Sequence, residues 1–182
     1  MKNATDIIRE ELHFPSIQRF QAAWNLGDPL KVDGIVGEKT REAAITSWKR
    51  HEEGRPDISD HFSVHEFWCK CHGKYHGCSY ILVSRGLLSS LEKMRTTYYK
   101  TGLTIVSGYR CPTQNERVGG AKGSMHVKGL AADIHGVVGY KSLETHHWFA
   151  GYGIASNKTV VHVDRRDLVD MASLTRPTRW YY

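Results

Sequence analysis

The sequence predicts an α+β fold: a small, mostly antiparallel sheet with flanking helices, preceded by a small all-helical unit. Three observations lead there. Leu103–Val106, Ala131–Ile134 and Thr159–Val163 are short apolar runs that read as strands. Leu87, Leu91, Met94 and Tyr98 recur at helical spacing ahead of them, so helices precede and separate the strands. Upstream of both, residues 1–54 carry helical stripes of their own.

In chain order, Ser16 is placed to cap a helix in which Ile17, Phe20 and Trp24 share one face. Asn25–Pro29 ends that helix. Asp33-Gly34 reads as a tight turn and Gly37 closes a second one. A second amphipathic helix is expected from about Glu38, burying Ala44, Ile45 and Trp48. So few apolar residues make a marginal unit, which is expected to dock on its neighbour or on a ligand. The polar stretch Glu52–Asp60, with Gly54 and Pro56, reads as the linker, which sets the expected division at 1–54, 55–60 and 61–182. Strand Leu103–Val106 then runs into Ser107-Gly108-Tyr109-Arg110.

Composition narrows the class of function. Hydrophobic residues make up 40% and charged residues 24% of 182, the profile of a globular domain. No apolar run reaches the roughly 20 residues that span a bilayer, so no stable membrane association is expected. The first residues, MKNATDIIREELHF, carry acids where an export leader needs an apolar stretch, so synthesis in the cytoplasm is expected. The net charge is +6. Residues 1–55 hold nine basic and nine acidic residues, and residues 56–182 hold sixteen and ten, so the excess lies wholly in the second part. A basic surface suits any polyanion, but the basic residues are scattered and match no nucleic-acid motif, so no nucleic-acid partner is expected.

The block Ser124–His135 carries the chemistry. His126 and Asp133 stand seven apart, an odd spacing that an unbroken strand would send to opposite faces. A turn at Lys128-Gly129 can bring them to one site. Further on, His162 and Asp164 share one face of a strand, with Val161 and Val163 on the other. Two imidazoles and one carboxylate are the ligand count of a catalytic zinc, which keeps a fourth position for water. From spacing alone the same residues also fit ordinary hydrogen-bonded histidines. Cys69, Cys71, Cys78 and Cys111 leave three readings open: a structural metal site, with or without His72 or His76, disulfides, or inert thiols.

Two family resemblances sharpen this reading. Ile17-Gln18, Val32-Asp33-Gly34-Ile35-Val36-Gly37, Thr40 and Ala43-Ala44 resemble the peptidoglycan-binding domain attached to many wall hydrolases, which implies wall contacts at Asp33, Gly34 and Gly37. Phe62-Ser63, Glu66-Phe67, Ser107–Arg110, Asn115 with Val118–Ala121, Ser124-x-His126, Gly129-x-Ala131-Ala132-Asp133 and His162-Val163-Asp164 follow in order. This series resembles the zinc D-Ala-D-Ala carboxypeptidases and phage murein endopeptidases, which share the Hedgehog/D,D-peptidase fold.

The second resemblance implies a Zn2+ cofactor held by His126, Asp133 and His162, with Arg110 beside the scissile carbonyl and Ser124 and Tyr109 as substrate contacts. Many family members carry an acidic base three residues before the last histidine, where this chain has Thr159. Asp164 is then the candidate base or water-orienting group, or a carboxylate that fixes His162. His135 is a candidate proton donor or a surface residue. Taken together, the resemblances imply a monomeric, endolysin-like peptidoglycan hydrolase that reaches the wall through a holin-type pore. The expected bond is of the D,D-endopeptidase or carboxypeptidase type. An L-Ala-D-Glu endopeptidase and an inactive zinc-containing wall binder, as in the Hedgehog domain, are the alternatives.

Overall fold

Strand β4 (Val160–Asp164) is the axis of the protein: it pairs antiparallel with β2 (Ala131–Ile134) on one side and with β3 (Gly151–Ile154) on the other. β1 (Ile105–Ser107) extends the sheet antiparallel beyond β2, and β5 (Thr178–Tyr181) closes the other edge parallel to β3. The strand order is therefore β1-β2-β4-β3-β5, an α+β sheet that is antiparallel except at its last pair. The computed structural model describes residues 2–168 and 177–182. No helix among the described residues is long and apolar enough to cross a membrane.

Local sequence accounts for the helices. A first turn at Ala4–Asp6, capped by the Asn3 side chain, widens into a π-helical turn at Ile7–Glu11; together these form α1. In α2 (Ile17–Ala23) the Ser16 hydroxyl accepts from the Arg19 amide as its N-cap, and Phe20 is fully buried. Helix α3 (Glu38–Glu52) buries Ala43, Ala44 and Ser47, while Ile45 and Trp48 are half-buried against the core. Ser63 and Glu66 form a capping box around the 3-10 turn Val64–Phe67. Helix α4 (Arg85–Tyr98), capped by Ser84, buries Leu87, Leu91 and Met94 as its periodicity requires. Two short helices follow, α5 (Pro112–Arg117) and α6 (Tyr140–Leu143).

The amino-terminal helices share one hydrophobic core with the sheet, from Ile7 and Phe20 through Leu91 to Tyr152 and Val163. Polar contacts reinforce the junction. Arg85 donates to the carbonyls of Trp24 (2.5 Å) and Gly27 (2.9 Å), and the Ser89 hydroxyl donates to Asn25 Oδ1 at 3.0 Å. Within the segment 55–60, expected as a linker, Asp57, Ile58 and Ser59 are buried. The Asp57 carboxylate accepts from the Val64 amide and pairs with His51, and the Ser59 hydroxyl donates to Glu92. The segment therefore packs between α3 and α4, because Ile58 is buried and the Asp57 and Ser59 side chains find partners there.

Candidate active site

The pairing of β2 with β4 sets Asp133 directly opposite His162, so both side chains leave the same face of the sheet as cross-strand neighbours. His126 arrives from the turns that precede β2, in which the Gly129 amide donates to the His126 carbonyl (3.2 Å) and the Leu130 amide to the Met125 carbonyl (2.9 Å). Gly129 has φ +70°, and a Cβ there would lie 2.7 Å from the Leu82 carbonyl oxygen. Only glycine fits this left-handed close approach. The turn expected at Lys128-Gly129 thus cancels the odd spacing and returns His126 to the face of Asp133.

Three ligand-type atoms converge. His126 Nε2 lies 3.1 Å from Asp133 Oδ1 and 3.2 Å from His162 Nδ1, and His162 Nδ1 lies 2.8 Å from Asp133 Oδ1. A tetrahedral zinc with bonds of roughly 2.0–2.1 Å spaces its ligand atoms by about 3.3 Å. The triangle is close to that size, so these three residues fit a small divalent metal.

Outer hydrogen bonds orient both imidazoles for the same task. His126 Nδ1 lies 2.6 Å from the Gly108 carbonyl, so Nδ1 carries the proton and Nε2 turns its lone pair inward. His162 Nε2 lies 3.3 Å from Asp164 Oδ2, which leaves Nδ1 free to face the triangle. Burial pushes the His126 pKa down and keeps that ring neutral. Burial works to raise the Asp133 carboxyl, but hydrogen bonds from His126 and His162 outweigh it and hold the group well below the usual carboxylate range. Its second oxygen accepts from Arg110 Nη2 at 2.8 Å.

Asp164 is fully committed. It accepts from Arg166 Nε (2.9 Å), Arg166 Nη2 (2.6 Å) and the Arg166 amide (3.1 Å), besides facing His162. Burial opposes its ionisation, yet the hydrogen bonds from Arg166 and His162 draw its pKa down to about 2. A carboxylate so engaged is a weak acceptor for a proton from neutral water. The geometry is that of a group fixing His162 rather than a free base.

Two adjoining hollows, about 550 and 590 Å³, flank the triangle and share Arg110, Val118 and Tyr182. Asp133 lines the first and His126, His162 and Ser124 line the second. Ser124 also caps the local turn, its hydroxyl accepting from the His126 amide at 3.3 Å. Arg110 Nε is buried and finds no hydrogen-bond partner among the described residues. Tyr109, expected as a substrate contact, points elsewhere: it is buried with Cys69 and Cys111, because adjacent residues leaving β1 face opposite ways and Arg110 takes the cleft. His135 is exposed and outside the triangle, and Thr159 bonds Asn157 in the β3–β4 turn.

Sequence reasoning missed Arg166, Trp180 and Tyr182. The Trp180 ring packs 4.9 Å from His162, and the Arg166 guanidinium sits 5.1 Å over Trp180. Their place in the cleft depends on the parallel β3–β5 pairing, which no local pattern announces. In the amino-terminal unit, Asp33 and Gly34 form a turn organised by buried Gln21, whose Oε1 accepts from both their amides at 3.1 and 2.9 Å. Gly37 starts α3, and the loop exposes Val32 and Ile35 beside a hollow of about 240 Å³ lined by Asp33 and Gly37.

The family model described as peptidase M15 matches residues 60–164, over half of the chain and the whole of the triangle. No curated protein matches the sequence.

Proposed function

The chain belongs to the peptidase M15 family, which makes it a metallopeptidase, and we propose that it uses zinc to hydrolyse amide bonds in the peptide part of bacterial peptidoglycan. The observation that carries this reading is the convergence of His126 Nε2, His162 Nδ1 and Asp133 Oδ1, with both rings held in the tautomer that presents a lone pair inward. The favoured bond type is that of a D,D-endopeptidase or carboxypeptidase acting as an endolysin.

His126, Asp133 and His162 would hold the zinc, which would supply a Lewis acid for the scissile carbonyl and acidify a water at neutral pH. The chain's own residues do the rest. Arg110, anchored through Nη2 on Asp133, presents a fixed cation at the junction of the two hollows, where it can hold the carbonyl oxygen as negative charge develops. Asp164 acts as a positioning residue: it keeps the proton on His162 Nε2 and is itself clamped by Arg166. Ser124, Trp180 and Tyr182 line the groove in which a stem peptide lies. Upstream, the 33–37 turn with exposed Val32 and Ile35 is the proposed wall-binding surface, placing the enzyme on its insoluble substrate.

The test is zinc content combined with mass spectrometry of purified walls digested by the wild type and by His126→Ala. Zinc in the wild type and release of new amino termini that the variant fails to produce support the peptidase. Wall fragments with a free D-Ala amine or carboxylate identify the D,D-type, and a freed D-Glu amine identifies the L-Ala-D-Glu type. Wild-type protein that carries zinc and sediments with walls but releases nothing is a binder, and the proposal fails.

A further inference from the structure

We propose that Cys69, Cys71, Cys78 and Cys111 hold a second, structural zinc ion that braces the loop behind the active-site arginine. Three of the cysteines come from the loop between Phe67 and Ser84, and Cys111 is the N-cap residue of α5. Cys71 Sγ lies 3.4 Å from Cys69 Sγ, 3.3 Å from Cys78 Sγ and 3.8 Å from Cys111 Sγ. All four sulfurs fall within 4.8 Å of one another. Four thiolates around a zinc with bonds of about 2.3 Å stand about 3.8 Å apart. Disulfides would instead divide the four into two bonded pairs at about 2.05 Å. Here one sulfur has three neighbours at comparable distance, which is the arrangement of a tetrahedron. Soft thiolates in that geometry select zinc over the hard divalent cations.

The surroundings fit the same reading. The Cys111 amide points at Cys69 Sγ (3.3 Å) and the Gln114 amide at Cys111 Sγ (3.4 Å), donors that stabilise sulfur carrying negative charge. Left-handed backbone at His72, Gly73 and Gly77 curls the loop so that its three sulfurs face inward. The His72 amide donates to the Cys69 carbonyl at 2.8 Å and the Lys74 amide to the Cys71 carbonyl at 2.9 Å, closing the turns that follow the ligands. Among the described residues, the cluster adds only Tyr75, Tyr109 and Leu82 to the sulfurs, and it is separate from the main core. So small an apolar group does little to order a loop without regular structure, whereas a metal crosslink does.

The crosslink also has a place in the architecture. It ties the loop to Cys111, the residue after Arg110, and Lys70 between two of the ligands lines the cleft. Gly108, whose carbonyl orients His126, lies on the same short segment. The ion therefore holds the corner from which both Arg110 and the His126 tautomer are set, while touching no substrate.

The metal content of the full chain, purified without chelator, tests this independently of the peptidase reading. Expected are two zinc ions per chain in the wild type and one in the His126→Ala/His162→Ala double variant. Cobalt substitution of that double variant should give a thiolate-to-cobalt charge-transfer band in the near ultraviolet, which a His/Asp site cannot produce. Cys71→Ser should remove the band. If that variant fails to fold, treating wild-type protein with a mercurial thiol reagent should release one zinc to a colorimetric dye. A double variant devoid of metal, a cobalt protein lacking the band, iron in place of zinc, or a disulfide-bonded mass after denaturing alkylation would each overturn the proposal.

Discussion

Asn at position 164 is the substitution that most directly separates a positioning carboxylate from a general base. Asp164 presents only acceptors: Arg166 fills them from one side and His162 Nε2 from the other. Asn keeps the shape but replaces one acceptor by an amide donor. Turned one way, that donor meets the Arg166 guanidinium. Turned the other way, it meets His162 Nε2 and favours the tautomer with the proton on Nδ1, the atom that must face the metal. Loss of such an outer partner typically weakens metal binding by about 10- to 100-fold, or about 1.4–2.7 kcal/mol. The assay is reconstitution of wall digestion against zinc buffered by a chelator, which yields an affinity from the midpoint and a rate from the plateau. Asp164→Asn should move the midpoint by about 10- to 100-fold and leave the plateau within a few fold. An unmoved midpoint with a plateau lowered about 100-fold or more would refute the positioning role, since that is the signature of a lost acid–base group.

Three further outcomes test other parts of the structure. Arg110→Met should lower the zinc-saturated rate by about 100- to 1000-fold, the usual loss on removing one charge-stabilising donor, while the protein still binds zinc; a change confined to zinc affinity would reduce Arg110 to a partner of Asp133. Gln21→Ala removes the acceptor for the Asp33 and Gly34 amides, so a loss of about 2–4 kcal/mol in urea unfolding and weaker retention on walls are expected; wall retention at the wild-type level would locate binding elsewhere. Glu66 supports the Ser63 cap, but burial raises its pKa, so its contribution is full below the unfolded-state value and fades as pH rises through the folded one. Glu66→Gln should therefore gain stability relative to wild type between acidic and neutral pH, and a difference that is flat with pH in urea melts counts against the buried-carboxylate account.

Helices α2, α3 and α4 and the identity of the ligand-type residues are legible in the sequence alone. Ser16 announces its cap, and the spacing of Leu87, Leu91 and Met94 selects a buried face, because caps and amphipathic stripes are local properties. The ordered motifs around His126, Asp133 and His162 single out the three residues that the fold gathers into the triangle. Tertiary structure decided the rest. β3 reads Gly-Tyr-Gly-Ile, weak as a strand signal, and is a strand because β4 and β5 pair with it; a Cβ at Gly151 would lie 2.4 Å from the Asp164 carboxylate. Trp180 reaches His162 only through that pairing. The sequence also placed Asp164 beside His162 without saying what Asp164 faces. Arg166 curls back from the 3-10 turn after β4 and occupies it, which turns a candidate base into a support. Tyr109 and Arg110 are chain neighbours, yet one enters the cysteine cluster and the other the cleft. Motifs record which groups are available; hydrogen-bond partners and ring tautomers follow from where distant segments meet, and only the packed chain specifies that.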